Sequence, residues 1–249
     1  MSRLEGKIAL VTGGSLGFGA AIARRLAQEG AAVAVNYPFS MPEADAVVSQ
    51  IKQSGGRAIS VRADITKRDE VELMMRQVIG DFGALDILVN NAGAYEFVAL
   101  ESVTEDHFHR LFNLNVLGTI LVTQAALPHL KKLGGSVVNI SSVVSVCPSA
   151  LAPVYSATKG AIDALTKSLA KAHADRQIRF NTVNPGLTPT DGVQKLGTFG
   201  ADLLQEILEQ TPLRRNGMVQ DVAAAVVFFA SEESSFITGE SLLVSGGRR

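Results

Sequence analysis

The fold of this chain is decided near its start, by Lys7-Ile8-Ala9-Leu10-Val11-Thr12-Gly13-Gly14-Ser15-Leu16-Gly17-Phe18-Gly19. A short apolar run, which predicts a strand, is followed by a glycine-rich turn and then by a helix-period pattern. The glycines let the backbone turn sharply and approach a pyrophosphate closely, and the N-terminus of the helix presents free N–H groups to the anion. The stretch therefore predicts a dinucleotide-binding unit rather than a glycine-rich turn without a ligand.

The rest of the chain repeats the alternation of a short apolar run and a longer helical pattern. Runs such as Ile87-Leu88-Val89 are apolar throughout, which is typical of strands covered on both faces. The predicted fold is α/β: a single-domain Rossmann fold over residues 1–249, with a seven-stranded, mostly parallel, doubly wound sheet and helices on both faces. The predicted strands are Lys7–Thr12, Ala32–Asn36, Arg57–Arg62, Leu85–Val89, Ser136–Ile140, Ile178–Val183 and Ser241–Val244. One long helix is predicted from about Thr104 to Lys132.

Composition excludes several classes of protein. The 249 residues are 47% hydrophobic and 19% charged, with a net charge of −1, which indicates a globular chain without a nucleic-acid or membrane-binding surface. The single cysteine, Cys147, excludes an internal disulfide, and Glu5 and Lys7 interrupt any secretory signal. We expect a cytoplasmic protein. The four histidines have no metal-ligand spacing, so we expect them on the surface and predict no metal site.

Tyr155 and Lys159 carry the chemistry that the sequence predicts. They are four positions apart in a predicted helix, so the phenol and the ammonium lie on one face. Ser142 follows the fifth strand, and ligands of parallel sheets bind at the carboxyl ends of strands. Hydride delivery to a carbonyl makes an alkoxide that needs a proton, which a tyrosine can supply. We expect Lys159, together with an oxidised nicotinamide, to lower the phenol pKa from about 10, and Ser142 to hold the substrate oxygen.

Several motifs in one order are similar to those of the short-chain dehydrogenase/reductase family, over the whole chain. After the spacing Thr-Gly-x3-Gly-x-Gly of the first turn, Asn90-Asn91-Ala92-Gly93 follows the fourth strand and Asn184-Pro185-Gly186 follows the sixth. S-adenosylmethionine methyltransferases also end their first strand in glycines, but the spacing here resembles the reductase family. Ketoacyl reductases, small sugar dehydrogenases and polyketide or steroid ketoreductases share this signature, and the substrate stays open among them.

The resemblance implies the roles of individual residues. The implied catalytic residues are Asn115, Ser142, Tyr155 and Lys159, of which Lys159 also holds the nicotinamide ribose and Asn115 holds a water that passes the proton outward. The expected cofactor-binding residues, besides Tyr155 and Lys159, are Gly13, Ser15, Leu16, Gly17, Gly19, Asn36, Tyr37, Ser40, Asp64, Ile65, Asn91, Ala92, Gly93, Pro185, Gly186, Thr188 and Thr190. A homotetramer built through the helices of Asn115 and Tyr155 is also implied.

The end of the second strand governs the expected choice of cofactor. Family members that prefer NAD usually carry an acidic residue where Tyr37 stands, and many NADP users carry an arginine where Pro38 stands. Asn36, Tyr37 and Ser40 are uncharged and can donate hydrogen bonds, so we expect a modest preference for NADP(H), with NAD(H) possible. Arg62 and Lys67 lie near the third strand, and their reach is left open.

The predicted function is reversible hydride transfer between a nicotinamide and a ketone or secondary alcohol. The alternative is a protein that binds NAD(P) as a sensor or scaffold without turnover. Substrate contacts are expected from Ser142, Tyr95, Val143 and Leu187, with a substrate-covering region over residues 187–210. The remaining expected pocket residues are Phe97, Ser145, Cys147, Val193, Leu196 and Phe199, and this mostly apolar set favours a neutral, hydrophobic ketone. Ser245, where many relatives carry Asp, is expected to affect packing of the C-terminus more than the chemistry.

Overall fold

A computed structural model describes residues 2–39, 41–130, 134–190 and 201–249, with side chains from residue 205 onward in the last range. The strands are β1 (Ile8–Val11), β2 (Ala32–Tyr37), β3 (Ala58–Arg62), β4 (Ile87–Asn90), β5 (Gly135–Ile140), β6 (Ile178–Pro185) and β7 (Ser241–Val244). They form one seven-stranded sheet in the order β3-β2-β1-β4-β5-β6-β7, and every pairing is parallel. The predicted α/β sheet is confirmed, with strand bounds shifted by one or two residues.

Helices connect the strands and cover both faces of the sheet. They are α1 (Gly17–Gln28), α2 (Met41–Gln53), α3 (Arg68–Phe82), α4 (Glu105–Phe112), α5 (Thr119–Ala126), α6 (Pro153–Ala172), α7 (Ala201–Glu209) and α8 (Val219–Ala230). Within the described residues, no helix has the length and apolar character that crossing a membrane requires.

Alternation along the strands divides the core into two layers. In β1, Ala9 and Val11 belong to a cluster that includes residues of α1, α2 and α8, whereas Leu10 belongs to a cluster that includes residues of α3, α5 and α6. Successive side chains of a strand point to opposite faces, so a strand buried on both sides must be apolar at every position. The continuous apolar runs of the sequence follow from this requirement.

The order of the strands fixes where a ligand can bind. The chain proceeds outward from β1 through β2 to β3, and then crosses to β4 on the other side of β1. Helices that follow β1 and β4 therefore lie on opposite faces, and a crevice opens between the carboxyl ends of these two strands. The glycine-rich turn after β1 and the Asn-Asn-Ala-Gly segment after β4 meet in this crevice.

The long helix predicted from Thr104 to Lys132 is interrupted. Residues Asn113–Gly118 form a π-helical turn between α4 and α5, and α5 ends at Ala126. The Thr119 hydroxyl donates to the backbone oxygen of Asn115 across this turn, at 2.9 Å. The expectation of one uninterrupted helix was wrong, because the apolar α5 shows no pattern that marks the wide turn before it. Such turns are rare and occur frequently at functional sites.

One histidine contradicts the expectation that all four lie on the surface. His107 is 5% exposed, and neither of its ring nitrogens has a hydrogen-bond partner among the described residues. Its Nε2 lies 3.7 Å from Oε2 of Glu96, which also forms an ion pair with Arg110 at 2.7 Å. The histidines were expected on the surface because they lack metal-ligand spacing, but tertiary packing covers His107.

Candidate active site

The glycine-rich turn is locked to the segment after β4 by its own hydrogen bonds. The Thr12 hydroxyl accepts from the backbone N–H groups of Asn91 and Ala92, at 3.0 and 3.1 Å. The Asn91 amide donates to the backbone oxygens of Thr12 and Gly13, at 2.9 and 3.0 Å. A Cβ at Gly19 would overlap the Gly13 oxygen, so α1 can approach the turn this closely only with glycine at that position.

The N-terminus of α1 fits an anionic ligand. Leu16 occupies the N-cap position and offers no side-chain hydrogen bond to the helix, and the first turn contains no acidic residue. The orphan N–H groups that every helix exposes at its start are therefore not used by a cap. Gly13 and Gly17 adopt φ angles of +58° and +52°, which favour glycine and leave space above the turn. These features suit the pyrophosphate of a dinucleotide.

Ser142, Tyr155 and Lys159 come together at the carboxyl end of β5. Ser142 follows the strand in an extended conformation, and its hydroxyl lines the same cavity as the Tyr155 phenol. Tyr155 and Lys159 lie one turn apart on α6, and Lys159 Nζ is 5.7 Å from the centroid of the Tyr155 ring. Lys159 is 7% exposed and donates to the backbone oxygen of Ile140 at 2.9 Å. Ser141 points elsewhere, since its hydroxyl donates to the Lys159 backbone oxygen.

Burial shifts the pKa values of the phenol and the ammonium in opposite directions. It raises the pKa of Tyr155 to about 12, while the hydrogen bond from Ser142 acts in the opposite direction. It lowers the pKa of Lys159 to about 8, although the negative charge of Asp163 counteracts part of this effect. In both cases the charged form is disfavoured away from water. The sequence predicted that Lys159 together with an oxidised nicotinamide lowers the pKa of Tyr155; in the protein alone, burial has the larger effect and raises it.

Asn115 connects the π-helical turn to its surroundings. Its side-chain oxygen accepts from the N–H of Ala94, and its amide donates to the Ala94 oxygen, both at 2.8 Å. The amide also donates to the Thr158 hydroxyl at 3.1 Å, which ties the turn to α6 next to Lys159. Asn115 therefore holds the segment after β4 against the helix that carries the catalytic candidates.

Asp163 is a site residue that the sequence analysis missed. It follows Tyr155 and Lys159 at the same four-residue spacing on α6 and is 8% exposed. Its carboxylate accepts from the Asn184 amide at 3.0 Å, and the same amide donates to the Ser145 hydroxyl at 2.9 Å. The backbone oxygen of Ser142 also accepts from Asn184, at 3.3 Å. The Asp163–Asn184 pair thus joins α6, the end of β6 and the turn after Ser142.

A cavity of about 640 Å³ connects these elements. It extends from the glycine-rich turn to the catalytic candidates and on to α7. Tyr95 lines it beside Tyr155, with ring centroids 6.1 Å apart, and burial raises the pKa of Tyr95. The predicted site residues that line it are Gly13, Leu16, Gly17, Asn91, Ala92, Gly93, Tyr95, Phe97, Ser142, Val143, Cys147, Tyr155, Lys159, Pro185, Gly186, Leu187, Thr188 and Thr190.

Comparisons with known proteins agree with this geometry. The family model described as Enoyl-(Acyl carrier protein) reductase matches residues 13–249. Glucose 1-dehydrogenase 2 of Bacillus subtilis is 40% identical over 248 residues, which cover 98% of this chain and 95% of that protein. A 3-oxoacyl-[acyl-carrier-protein] reductase of Staphylococcus epidermidis is 38% identical over 242 residues, with 97% and 98% covered. A short-chain dehydrogenase of Burkholderia cenocepacia, solved with NADP, superimposes with a TM-score of 0.92 at 39% identity and covers 99% of both chains.

The chain belongs to the short-chain dehydrogenase/reductase family. It is an NAD(P)-dependent oxidoreductase, and the resemblance to ketoacyl reductases and glucose dehydrogenases is confirmed.

Several residues expected to bind the cofactor of this short-chain dehydrogenase/reductase have other partners. Asn36 is fully buried: its amide donates to the oxygens of Val61 and Ala63, at 3.3 and 3.1 Å, and its oxygen accepts from Gly13 at 3.2 Å. Both of its donors are therefore used within the protein. Tyr37 is 5% exposed and belongs to the core cluster on the α1 side of the sheet.

Residues of the segment after β3 also contact other parts of the protein instead of the cavity. The Asp64 carboxylate accepts from the N–H and the hydroxyl of Thr66, at 2.9 and 2.7 Å, and does not line the cavity. Ile65 is 4% exposed and packs within the core on the α3 side, and Ser15 lines a neighbouring cleft. Ser40, Val193, Leu196 and Phe199 lie outside the described residues. Ser145 is absent from the described lining of the cavity, because its hydroxyl bonds to Ser142 and Asn184.

Arg62 and Lys67, whose reach the sequence left open, make different contacts near the enzyme's cleft. Arg62 pairs in register with Tyr37, and its Nε donates to the oxygen of Pro38 at 3.4 Å. Its guanidinium therefore reaches the end of β2. Lys67 instead forms an ion pair with Glu70 at 3.2 Å. Strand register, which the sequence did not show, brings Arg62 to this position.

Proposed function

We propose that this enzyme transfers a hydride reversibly between NADP(H) and a ketone or secondary alcohol, with Tyr155 as the proton donor and acceptor. The observation that carries the proposal is the convergence of Ser142, Tyr155 and Lys159 on the cavity that also reaches the glycine-rich turn. Ser142 would hold the carbonyl oxygen beside the phenol, and the bound nicotinamide would supply or accept the hydride.

The pKa values of Tyr155 and Lys159 support different roles for the two side chains. Because burial raises the pKa of Tyr155 to about 12, the phenol is protonated at neutral pH and can donate to an alkoxide during ketone reduction. Alcohol oxidation requires the phenolate, so this direction is expected to be favoured as the pH rises. Lys159, with a pKa of about 8, is largely cationic at pH 7 and can donate to the ribose hydroxyls of the cofactor.

A panel of ketones and alcohols, assayed by nicotinamide absorbance, tests the reaction. We expect turnover of at least one neutral ketone with NADPH and of the corresponding alcohol with NADP at higher pH. Binding of the cofactor without turnover of any panel member would favour the sensor or scaffold instead. A direct titration of cofactor by fluorescence separates loss of binding from loss of chemistry.

Arg62 supports the preference for NADP(H). A 2′-phosphate lies beside the end of the second strand in this fold, and a guanidinium is the side chain best suited to hold it. Arg62 is exposed and reaches Pro38, the position where a phosphate-binding arginine is often found. No acidic side chain lies at positions 36–39 to repel the phosphate. The related Burkholderia cenocepacia structure, which contains NADP, is consistent with this proposal.

The variant Arg62→Gln tests this contact. We expect the Kd of NADPH to rise about tenfold, because a charge-assisted hydrogen bond to a phosphate is lost, while the Kd of NADH changes little. Lys67→Gln is the matched control, since Lys67 lies nearby but is paired with Glu70. Equal effects of Arg62→Gln on both cofactors, or tighter binding of NADH by the wild type, would contradict the preference.

We also propose an oligomeric state and a domain organisation for the enzyme. Phe108 of α4, Leu117 of the π-helical turn and Ile120 of α5 are apolar and about 40% exposed, which supports a homotetramer assembled through this segment. Light scattering after size exclusion measures this state.

We further propose that residues 187–210 cover the substrate and that residues 1–249 act as one domain. A cytoplasmic location stays a prediction.

A further inference from the structure

The C-terminal segment carries a guanidinium into the catalytic cavity. Arg248 lines the same cavity as Ser142 and Tyr155, together with Glu206 and Ile207 of α7 and Gln210 directly after it. Its Nε is buried and has no hydrogen-bond partner among the described residues. Burying an unpaired N–H of a charged group costs free energy, so such a group normally has a partner.

The turn that delivers Arg248 is held in place from both sides. The Ser245 hydroxyl donates to the backbone oxygen of Arg248 at 2.7 Å, and Arg248 N donates back to the Ser245 oxygen at 3.3 Å. Gly246 accepts from the N–H of Leu213 at 3.1 Å. Gly246 and Gly247 adopt φ angles of +64° and +92°, which allow the chain to turn back after β7. The position of Arg248 is thus a built feature of the fold.

Arg248 is the charged lining residue whose side chain has no partner among the described residues of the cavity. Among the described lining residues, the charged side chains are Lys159, Glu206 and Arg248. Lys159 lies deep beside Tyr155 and donates to Ile140, and Glu206 accepts from the Gln210 amide at 3.1 Å. Glu206 and Arg248 form no ion pair in the described part of the chain. Apolar side chains form much of the rest of the cavity lining, including Val143, Leu151, Leu187 and Ile207.

We propose that Arg248 binds the carboxylate of an oxo acid whose ketone lies at Ser142 and Tyr155. A guanidinium and a carboxylate form paired, charge-assisted hydrogen bonds, which would satisfy the buried Nε. The apolar wall would accommodate the methylene chain that separates the two polar ends of the substrate. The inference rests on the proposed function and refines the expected neutral ketone to one with an acidic end.

Matched pairs of substrates test the proposal. A series of methyl ketones from 4-oxopentanoate to 8-oxononanoate is assayed with saturating NADPH, each acid against its methyl ester. The readout is the ratio of kcat/KM for acid to kcat/KM for ester. In the wild type, we expect this ratio to exceed about tenfold for at least one chain length, because only the acid can pair with the guanidinium.

Variants of the two C-terminal arginines identify the residue responsible. Arg248→Gln should lower the acid-to-ester ratio by about 10- to 100-fold, which is the usual value of a hydrogen bond to a charged group. Arg249→Gln, which removes the same charge from the exposed neighbouring position, should leave the ratio unchanged. A wild-type ratio near one, or an Arg248→Gln variant that affects acids and esters equally, would overturn the inference while ester turnover still supports the proposed reaction. If the wild type reduces no ketone, the proposed function fails and the inference fails with it.

Discussion

The two ends of the cleft use their polar groups in opposite ways. At the glycine-rich turn, the side chains of Thr12, Asn36 and Asn91 bond to the protein itself, and backbone N–H groups remain available to an anion. At the catalytic end, polar side chains line the cavity, and buried atoms of Tyr95 and Asn184 have no hydrogen-bond partner among the described residues. At the glycine-rich turn the side chains therefore shape the backbone, whereas at the catalytic end the polar side chains themselves face the cavity.

The largest effect expected from this comparison is that of Tyr155→Phe. The phenol lines the cavity together with Ser142, and no cofactor contact depends on its proton in the proposed mechanism. We expect kcat to fall by about 10²- to 10⁴-fold, the usual contribution of general acid–base catalysis, and the Kd of NADPH to change little. Single-turnover kinetics and cofactor titration measure the two quantities separately. Tyr95→Phe, a neighbouring tyrosine, serves as the control and should lose less than about tenfold; near-normal turnover by Tyr155→Phe would refute the assigned role.

Lys159→Met tests how much the buried Lys159 ammonium changes the free energy of unfolding, separately from its role in activity. Because burial lowers the pKa of Lys159 from 10.5 to about 8, the folded protein binds fewer protons than the unfolded chain between these pH values. Stability contributed by this site therefore rises with pH in that interval. Between pH 7.5 and 10 the unfolding free energy of the wild type should gain about 2–3 kcal/mol relative to Lys159→Met.

Chemical denaturation at several pH values measures this difference, and Lys171→Met, on the exposed end of α6, is the control. A difference that does not vary with pH would show that Lys159 is not held in a desolvated state. Activity and cofactor affinity of Lys159→Met should both fall, since one ammonium is assigned to the ribose and to the phenol.

Asn36→Ala examines the opposite end of the cleft, where side chains serve the fold. The substitution removes three hydrogen bonds within the protein and leaves buried backbone groups without partners. We expect a loss of about 2 kcal/mol in unfolding free energy and a weaker Kd for both cofactors, with kcat at saturation nearly unchanged. Asn216→Ala, at an exposed position, is the control for loss of an asparagine. A fall in kcat without a change in stability would assign Asn36 to the chemistry.

The smallest effect is expected from Asp163→Asn, which keeps the volume and an acceptor for Asn184 but removes the charge. Asp163 raises the pKa of Lys159, so its replacement should lower that pKa further. The cofactor affinity should then begin to fall at a lower pH than in the wild type, with a loss of a few-fold near pH 8. Cofactor titrations from pH 7 to 10 locate the transition, and the exposed Asp175→Asn is the control. Identical profiles for the wild type and Asp163→Asn would exclude an electrostatic role.

Local patterns were sufficient to predict most of the fold and the placing of Ser142, Tyr155 and Lys159 on one cavity. Glycine spacing, apolar strands and the Tyr155–Lys159 interval are properties of neighbouring residues, and they predicted the sheet and the residues that the cavity brings together. Asp163 could also have been found, since it continues the same four-residue spacing along α6 as a charge among apolar neighbours.

Other features depend on contacts between distant segments. Arg62 reaches Pro38 only because β2 and β3 pair in one register, and the same pairing buries the Asn36 amide. Arg248 enters the cavity through a turn that packs on residues far away in the sequence. The π-helical turn at Asn113–Gly118 left no trace in the apolar period. Each of these required the tertiary structure, because no neighbouring residues encode it.

The π-helical turn allows the long connection between β4 and β5 to tolerate the deletion of one residue. A turn closed by i→i+5 bonds contains one residue more than a regular α-helical turn. Loss of a single residue from an ordinary helix rotates everything beyond it out of register, but loss of one residue within Asn113–Gly118 could be absorbed by converting the wide turn into a regular one. The packing of α4 and α5 would survive such a deletion while Asn115 would lose its link to Ala94 and Thr158. A one-residue deletion in this segment would therefore preserve the fold but disrupt the proposed catalytic site.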